Sequence, residues 1–437
     1  MYDIILYLYQ LGVMAGSLFS EKVRKMWRGE RDAFRVLREK VEPGARYVWF
    51  HAASLGEFEQ GRPLMEQLRR ERAELKILLT FFSPSGYEVR KNYDGADIVC
   101  YLPLDTPTNA RRFLRLVRPE MAFFIKYEFW YNYLHILKHR QVPVYSVSSI
   151  FRDSQVFFRW YGRQYGRVLK CFTHFYVQNE RSRELLATIG LHNATITGDT
   201  RFDRVLQIKE QARQLPVVDE FLRNRASASD LGRQTPTPNL QSPKVFVAGS
   251  SWPPDEEIFI RYFREHPDWK LIIAPHVIGE DHLQQIERLL GDCKAVRYTQ
   301  LQKQQEDGGE ANPQSSILNP QSLIVDCFGL LSSIYRYATV TYVGGGFGVG
   351  IHNTVEAAVW GVPVIFGPNN GKFQEAQELK ACGGGFEIGS YDDFARLMDR
   401  FGSQPQFTAT AGRAAGQYVE QKAGATRKIL TDTITRK

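Results

Sequence analysis

The sequence predicts an α/β protein of two doubly wound parallel-sheet domains in tandem, preceded by an apolar N-terminal segment. Three observations predict it. From Arg46 onward, short β-branched or aromatic runs alternate with longer amphipathic ones, the pattern of parallel strands covered by helices. The alternation breaks off in a stretch rich in Ser, Pro, Gln and Asn, Arg225 to Pro243, and starts again at Lys244. The chain has 437 residues, which suits two domains of roughly 100–200 residues each.

The elements follow in chain order. Between Asp3 and Glu21 no residue is charged, and eleven of the intervening residues, from Ile4 to Phe19, are large and apolar. No basic residue precedes this run and no small-residue cleavage site follows it, which argues against a secretory signal peptide. A basic stretch comes next, with Lys22, Arg24, Lys25, Arg28, Arg31, Arg35, Arg38 and Lys40. An apolar segment with a cationic flank is the arrangement of a membrane anchor beside anionic headgroups on the cytoplasmic side; a buried N-terminal helix is the other reading.

Strands are expected at Tyr47–His51, Ile77–Phe82, Ile98–Tyr101, Met121–Ile125, Val142–Val147 and Phe172–Val177. Helices are expected over Gly56–Glu71, Thr108–Val117 and Arg181–Ile189. The second series has Val245–Ala248, Trp269–Ile273, Leu323–Val325, Val340–Val343 and Val362–Phe366, with a polar insertion at Gln300–Ser322. The expected division is an anchor over 1–20, a first domain over 21–205, a connection over 206–243, a second domain over 244–420, and a last helix over 421–437 that can cross back. Open α/β sheets bind ligands beyond the carboxyl ends of their strands, so two such sheets facing each other place a site in the cleft between them.

Composition narrows the chemistry. With 43% hydrophobic, 24% charged and 13% aromatic residues, the chain is neither disordered nor a disulfide miniprotein. A net charge of +8 suits nucleic acid, an anionic membrane surface or a phosphorylated substrate; without a recognised motif or a dense Lys/Arg face, nucleic acid is not expected. The five cysteines are scattered without a C-x-x-C pair and read as buried thiols. His135 and His139 lack the intervening Glu of a zinc-protease helix, and no Asp-x-Asp occurs, so no metal and no cofactor are expected.

Three loops carry candidate chemistry. The run Val343 to Glu356 comes off a strand and leads toward an expected helix, Thr354 to Trp360. Gly345, Gly346, Gly348 and Gly350 would let backbone N–H groups approach a phosphate, and Glu356 would accept from ribose hydroxyls. The alternative is a tight packing turn in which Asn353 or Thr354 caps the helix. The spacing fails G-x-G-x-x-G, and Gly367 to Lys372 is one residue short of a P-loop.

In the first half, His51 to Glu57 joins a strand to a helix and delivers Glu57 at the helix start, where a carboxylate serves as a general base or complements the helix dipole. Glu128 ends a second strand at the same sheet edge. Arg201, near the end of the first domain, suits a carboxylate or phosphate, or else pairs with Asp199 or Asp203. Arg152, Arg159, Arg163 and Arg167 interleave with Phe157, Phe158, Trp160, Tyr161 and Tyr165, which suits headgroup phosphates and acyl chains, or a packed helix with a solvated basic side.

Taken together, His51-Ala-Ala-Ser-Leu-Gly-Glu57, Ser83-Pro-Ser-Gly86, Tyr101-Leu-Pro-Leu-Asp105, Glu128-Phe-Trp130, Gln178-Asn-Glu180, Thr197-Gly-Asp199 and His352-Asn353 through Glu356 resemble, in this order, the 3-deoxy-D-manno-octulosonic acid (Kdo) transferases of lipopolysaccharide synthesis. The resemblance covers nearly the whole chain apart from the two polar stretches. It implies a GT-B glycosyltransferase fold of two Rossmann-like domains, with CMP-Kdo as donor in the C-terminal half and a lipid A precursor (lipid IVA) as acceptor in the N-terminal half. The implied reaction is an inverting transfer at the cytoplasmic face of the inner membrane of a Gram-negative bacterium.

The resemblance also assigns roles. Glu57 matches the catalytic base, and Glu128 and Arg201 match positions that stabilise the transition state. Asn353, Thr354, Val355 and Glu356 match the nucleotide-binding helix start, while Pro275-His276 and Phe328-Gly329-Leu330 match two further CMP-contacting loops. Ser54 and the arginines Arg152, Arg159 and Arg163 are the acceptor-side candidates. The family usually has Arg where Pro275 stands and Glu where Leu330 stands, and Lys is common where Arg201 stands. At the first two positions side-chain contacts therefore differ, while backbone contacts can survive.

Two competing readings remain at this stage. One is a GT-B transferase or epimerase using a UDP-sugar, and the other is a membrane-tethered nucleotide-binding protein without turnover.

Overall fold

The computed structural model describes residues 2–162, 165–212, 214–223, 243–306 and 320–435. The chain divides into two units: Met1–Arg204 with Lys422–Lys437, and Val205–Gln421.

Unit 1 holds a seven-stranded sheet: β1 (Tyr47–Ala52), β2 (Lys76–Phe81), β3 (Ile98–Tyr101), β4 (Met121–Ile125), β5 (Val144–Ser149), β6 (His174–Val177) and β7 (Ala194–Ile196). The order is β3-β2-β1-β4-β5-β6-β7 and every pairing is parallel. The strands are apolar because both faces are covered: all six residues of β1 and all five of β4 are buried. One face packs Trp49, Phe113, Phe124 and Tyr133; the other packs Phe50, Phe58 and Phe123, with Ile429 and Leu430 of the last helix, Ala425–Thr435.

Unit 2 repeats the plan with β8 (Lys244–Ser251), β9 (Trp269–Pro275), β10 (Ala295–Arg297), β11 (Ser322–Ile324), β12 (Val340–Val343), β13 (Val364–Phe366) and β14 (Gly385–Glu387). These lie in the order β10-β11-β9-β8-β12-β13-β14, again all parallel. In each sheet the winding reverses once, between β1 and β4 and between β8 and β12. That switch point is where an open α/β sheet leaves a crevice at its carboxyl edge.

Several expectations are corrected. The connection expected over 206–243 begins as ordered helix: Thr200–Gln211 runs through the unit boundary, and Pro216–Arg223 buries Val217, Val218 and Phe221. The Leu215 N–H donates to the Tyr337 hydroxyl at 2.8 Å and anchors this helix in unit 2. Residues 224–242 lie outside the described residues, as do 307–319 of the expected insertion, whose ends form the helix Tyr298–Glu306 and the start of β11.

Strands β7, β10 and β14 were not expected, because three residues are too few to show a period. The helix expected over Thr354–Trp360 is one turn, Val355–Ala358, because Gly361 turns the chain at φ +70°. The aromatic and basic stripe is three short 3₁₀ turns, Val156–Phe158, Trp160–Gly162 and Tyr165–Cys171, not one amphipathic helix. Among the cysteines, Cys100 and Cys171 are buried, but Cys382 is exposed.

The N-terminal apolar run forms the helix Tyr2–Gly16, whose 15 residues span about 22 Å. No helix among the described residues is long and apolar enough to cross a membrane. Ile4, Ile5, Leu8 and Leu11 on this helix and Leu18 and Phe19 just after it are exposed.

Candidate active site

The switch point of unit 1 brings the loop after β1 next to the loop after β4. Ser54 sits in extended conformation before the helix Leu55–Glu71, and Glu57 in its first turn accepts the Ser54 N–H at 3.0 Å. Beyond β4, Lys126 adopts φ +60°, a left-handed conformation that only a well-braced residue other than glycine holds. The bracing is visible: the Lys126 N–H donates to the Val147 carbonyl at 2.9 Å, and its own carbonyl accepts the Ser149 hydroxyl at 2.9 Å. Ser148 on the neighbouring strand has φ +51°.

The turn at Lys126 carries Glu128 and Trp130 back toward β1. His51 Nε2 lies 3.1 Å from Glu128 Oε2, and Trp130 Nε1 donates to the same oxygen at 2.8 Å. Burial, and then the charge of Glu128, push the Glu57 carboxyl above its ordinary value, with Lys126 working against both. Two neighbouring carboxylates thus sit in unlike surroundings: Glu128 is held by contacts to His51 and Trp130, and Glu57 is pushed upward by burial.

Arg201 belongs to the same neighbourhood. Asp199 accepts the Arg201 N–H at 2.9 Å, Arg201 Nε at 2.8 Å and Gln60 Nε2 at 2.8 Å. Burial pushes the Asp199 carboxyl up, but the Arg201 guanidinium and these hydrogen bonds outweigh it, and the net shift is downward. Lys126 interacts electrostatically with both Glu57 and Asp199 and so links the two groups. The open choice of partner for Arg201 resolves to Asp199, while Asp203 caps the last helix. Sequence reasoning missed Lys126; the signal available was a lysine directly past a strand, two residues before Glu128.

The acceptor-side candidates are less concentrated. Arg152 Nη1 donates to the Tyr127 hydroxyl at 3.4 Å, while Arg159 is exposed between the turns Val156–Phe158 and Trp160–Gly162. Arg163 lies outside the described residues. Trp160 and Tyr161 are exposed nearby, whereas Phe157 and Phe158 pack on the core.

The switch point of unit 2 brings the ends of β8 and β9 to the glycine loop after β12. Here the phosphate-loop expectation is corrected. Gly345 donates its N–H to Asp255 at 2.8 Å, and Gly348 and Gly350 donate theirs to the Gly345 carbonyl at 3.1 and 2.9 Å. Three of the four predicted phosphate donors are therefore spent inside the protein. Gly345 and Gly346 serve close backbone contact: a Cβ on Gly346 would stand 2.5 Å from Gly367 backbone atoms, and one on Gly345 would crowd the Gly350 carbonyl oxygen.

The remaining donor-side candidates do converge. Pro275 ends β9, and His276 stacks on Trp252 with ring centroids 4.9 Å apart and on His352 at 4.2 Å. Trp252 Nε1 donates to His352 Nε2 at 3.1 Å. Burial, then the nearby His276, lower the His352 pKa to about 4, so its ring is neutral near pH 7. Glu356 accepts the Ser332 hydroxyl at 2.6 Å and Asn353 Nδ2 at 2.9 Å, which ties the helical turn Leu331–Ile334, directly after Phe328-Gly329-Leu330, to the turn at Asn353. Phe328 is exposed and Gly329 has φ +89°. Thr354 and Val355 are buried, and Thr354 Oγ1 has no hydrogen-bond partner among the described residues. Trp252 and Asp255 are the site neighbours that the sequence did not single out. No three His, Cys, Asp or Glu side chains among the described residues converge to hold a metal ion.

This geometry meets its relatives in sequence and fold. Residues 27–204 match the family model described as 3-deoxy-D-manno-octulosonic-acid transferase (kdotransferase). The 3-deoxy-D-manno-octulosonic acid transferase of Aquifex aeolicus is 27% identical over 78% of this chain and 82% of its own length. That of Haemophilus influenzae is 24% identical over 89% and 86%. That of Rickettsia felis is 26% identical over 74% of this chain and 64% of its own length. Among solved structures, a UDP-GlcNAc 2-epimerase from Neisseria meningitidis aligns at TM-score 0.59 and 14% identity, over 90% of this chain and all of that one. A UDP-N-acetylglucosamine 2-epimerase from Listeria monocytogenes, described as putative, aligns at 0.59 and 12% identity over 88% and 94%. These two likenesses speak to the GT-B-like fold alone. By the match over unit 1 and the relatives that extend it across most of unit 2, the chain is similar over most of its length to the Kdo transferases, glycosyltransferases of lipopolysaccharide synthesis.

Proposed function

We propose that the chain transfers Kdo from CMP-Kdo to a glucosamine hydroxyl of a lipid A precursor, with inversion and with Glu57 as general base. The observation that carries this reading is the pair of unlike carboxylates at the unit 1 switch point: Glu57 is pushed upward by burial and by Glu128, while Glu128 is anchored by His51 and Trp130. In the reaction the acceptor oxygen forms a bond to the anomeric carbon of Kdo and its proton passes to Glu57. The bond from that carbon to the phosphate oxygen breaks, and CMP leaves with the electron pair. Glu128, Lys126 and Arg201 supply the surrounding charge.

The nucleotide is assigned to unit 2, at the Trp252–His276–His352 stack and the turns joined by Glu356. Its contacts come from side chains and from the Phe328–Leu330 turn in place of the glycine N–H groups. The exposed apolar residues of the first helix and the exposed Trp160 and Tyr161 support a seat in the membrane interface, at the inner-membrane face where a lipid acceptor is met.

The test is transfer from CMP-Kdo, generated in place, onto a tetraacylated lipid A precursor, with the product mass read by mass spectrometry. A gain by whole Kdo units supports the reading. No gain from a folded chain that binds CMP overturns it.

A further inference from the structure

A hydrogen-bonded chain runs from the core of unit 1 to Glu128 through Trp49, Thr80 and His51. Trp49 and His51 are two residues apart on β1 and share one face of the sheet, and Thr80 is the β2 residue paired with His51. All three are fully buried. Trp49 Nε1 donates to Thr80 Oγ1 at 2.8 Å, and His51 Nδ1 lies 2.9 Å from the same oxygen. On its other side the ring meets Glu128 Oε2 at 3.1 Å.

Counting donors places the ring proton. An indole N–H can only donate, so Thr80 Oγ1 accepts from Trp49 and has one proton of its own to give. Its two acceptors are His51 Nδ1 at 2.9 Å and the Phe50 carbonyl at 3.4 Å, and the shorter contact takes it. The neutral imidazole then carries its proton on Nε2, aimed at Glu128. Trp130 Nε1, which also approaches His51 Nε2 at 3.0 Å, gives its proton to Glu128 at the shorter 2.8 Å. The opposite neutral tautomer would set a bare Nε2 lone pair against a carboxylate oxygen and leave Glu128 repelled by the ring. A doubly protonated ring keeps the bond to Glu128 but turns the Thr80 proton to its 3.4 Å partner.

We propose that His51, held as the Nε2–H tautomer by the Thr80 hydroxyl, is a positioning residue that anchors Glu128 Oε2 and presents Oε1 to the reacting sugar. Among the described residues no hydrogen bond falls on Glu128 Oε1. The positioning role rests on the Kdo-transfer reading, whereas the tautomer rests on the geometry alone.

The experiment uses the full chain with ¹⁵N-labelled imidazoles, in which a His51→Gln sample identifies the His51 signals among the nine histidines. The expected spectrum is Nε2–H. In Thr80→Val, which keeps the side-chain shape, the Nδ1 signal loses the shift its hydrogen bond from Thr80 gives it and kcat falls about 10- to 100-fold, with the donor KM within about twofold. Thr80→Ser keeps the hydroxyl and restores both readouts. His51→Gln keeps a side-chain N–H and retains at least about tenfold more activity than His51→Ala.

An Nδ1–H spectrum in the unmodified chain overturns the proposal, as does unchanged kcat in a folded Thr80→Val. If Thr80→Val does not fold, equal losses in His51→Gln and His51→Ala overturn it. Absence of any Kdo transfer by the unmodified chain counts against the proposed function, while the nitrogen spectrum still decides the tautomer.

Discussion

Asp203 and Thr426 meet at the start of the last helix. Asp203 Oδ2 accepts the Thr426 N–H at 2.7 Å and its hydroxyl at 2.6 Å, and Oδ1 accepts the Gly424 N–H. One carboxylate thus caps the helix Ala425–Thr435 and holds it in unit 1, where Ile429 and Leu430 enter the core. Asp203→Ala is expected to cost ~1–2 kcal/mol in urea unfolding. Amide exchange over that helix accelerates, and unchanged exchange would assign the docking to Ile429 and Leu430 alone.

Glu57→Gln removes the proton acceptor but keeps the size of the side chain. Transfer is expected to fall roughly 10²- to 10⁴-fold, with CMP binding unchanged by calorimetry. In the unmodified chain the base form is populated only above the raised Glu57 value, so kcat falls on the acid side at a pH above the ordinary 4.5. A profile that stays flat down to that value would remove Glu57 from the role.

Glu30 makes stability depend on pH in the sense opposite to a salt-bridged carboxylate. It is buried, its Oε1 has no hydrogen-bond partner among the described residues, and burial raises its pKa to about 8. The folded state keeps a proton that the unfolded state releases from about pH 4.3 upward, so stability is lost as pH rises from there to about 8. Glu30→Gln is expected to stabilise the protein by on the order of 2–4 kcal/mol at pH 8.5 and to change little at pH 4. Urea midpoints at the two pH values check this.

Asp255 is buried and accepts three hydrogen bonds, from Tyr342 Oη at 2.7 Å, the Gly345 N–H at 2.8 Å and the Trp252 N–H at 2.9 Å. It holds the glycine loop to the turn that bears Trp252. Asp255→Asn is expected to cost ~2–3 kcal/mol in stability, because an amide cannot accept all three. CMP affinity falls by about tenfold, equivalent to ~1.4 kcal/mol. Titration of the folded variant with CMP measures it.

Leu8, on the N-terminal helix, and Leu18, just after it, are exposed. If this surface sits in the membrane interface, Leu8→Glu with Leu18→Glu lowers partitioning into anionic vesicles at least about tenfold, since burying each leucine contributes ~1.5–3 kcal/mol. Cosedimentation reads it. Unchanged partitioning would shift the contact to the 3₁₀ turns around Trp160.

Much of the site was legible in one dimension. Glu57 follows a small-residue turn after an apolar strand, and Glu128 follows another, so their placement at one sheet edge comes from strand direction alone. The glycine loop misled because its composition suits both a phosphate and a backbone crossing. Only the nearness of Gly367 to Gly346 and of Asp255 to Gly345 shows which use the glycines serve. The helix Pro216–Arg223 was hidden because its apolar residues lie next to a polar stretch that dominates composition.

The sequence by itself determined the two α/β sheets, their parallel direction and the acids at the first sheet's carboxyl edge. Those follow from local periodicity and from strands apolar on both faces, which no other packing satisfies. Only the tertiary structure decided which side chains meet there. The pairing of His51 with Glu128, of Asp199 with Gln60, and of Asp203 with Thr426 joins residues from separate elements. Such contacts depend on strand order and on the backbone reversal at Lys126, where local propensity opposes a left-handed lysine and the surrounding hydrogen bonds prevail.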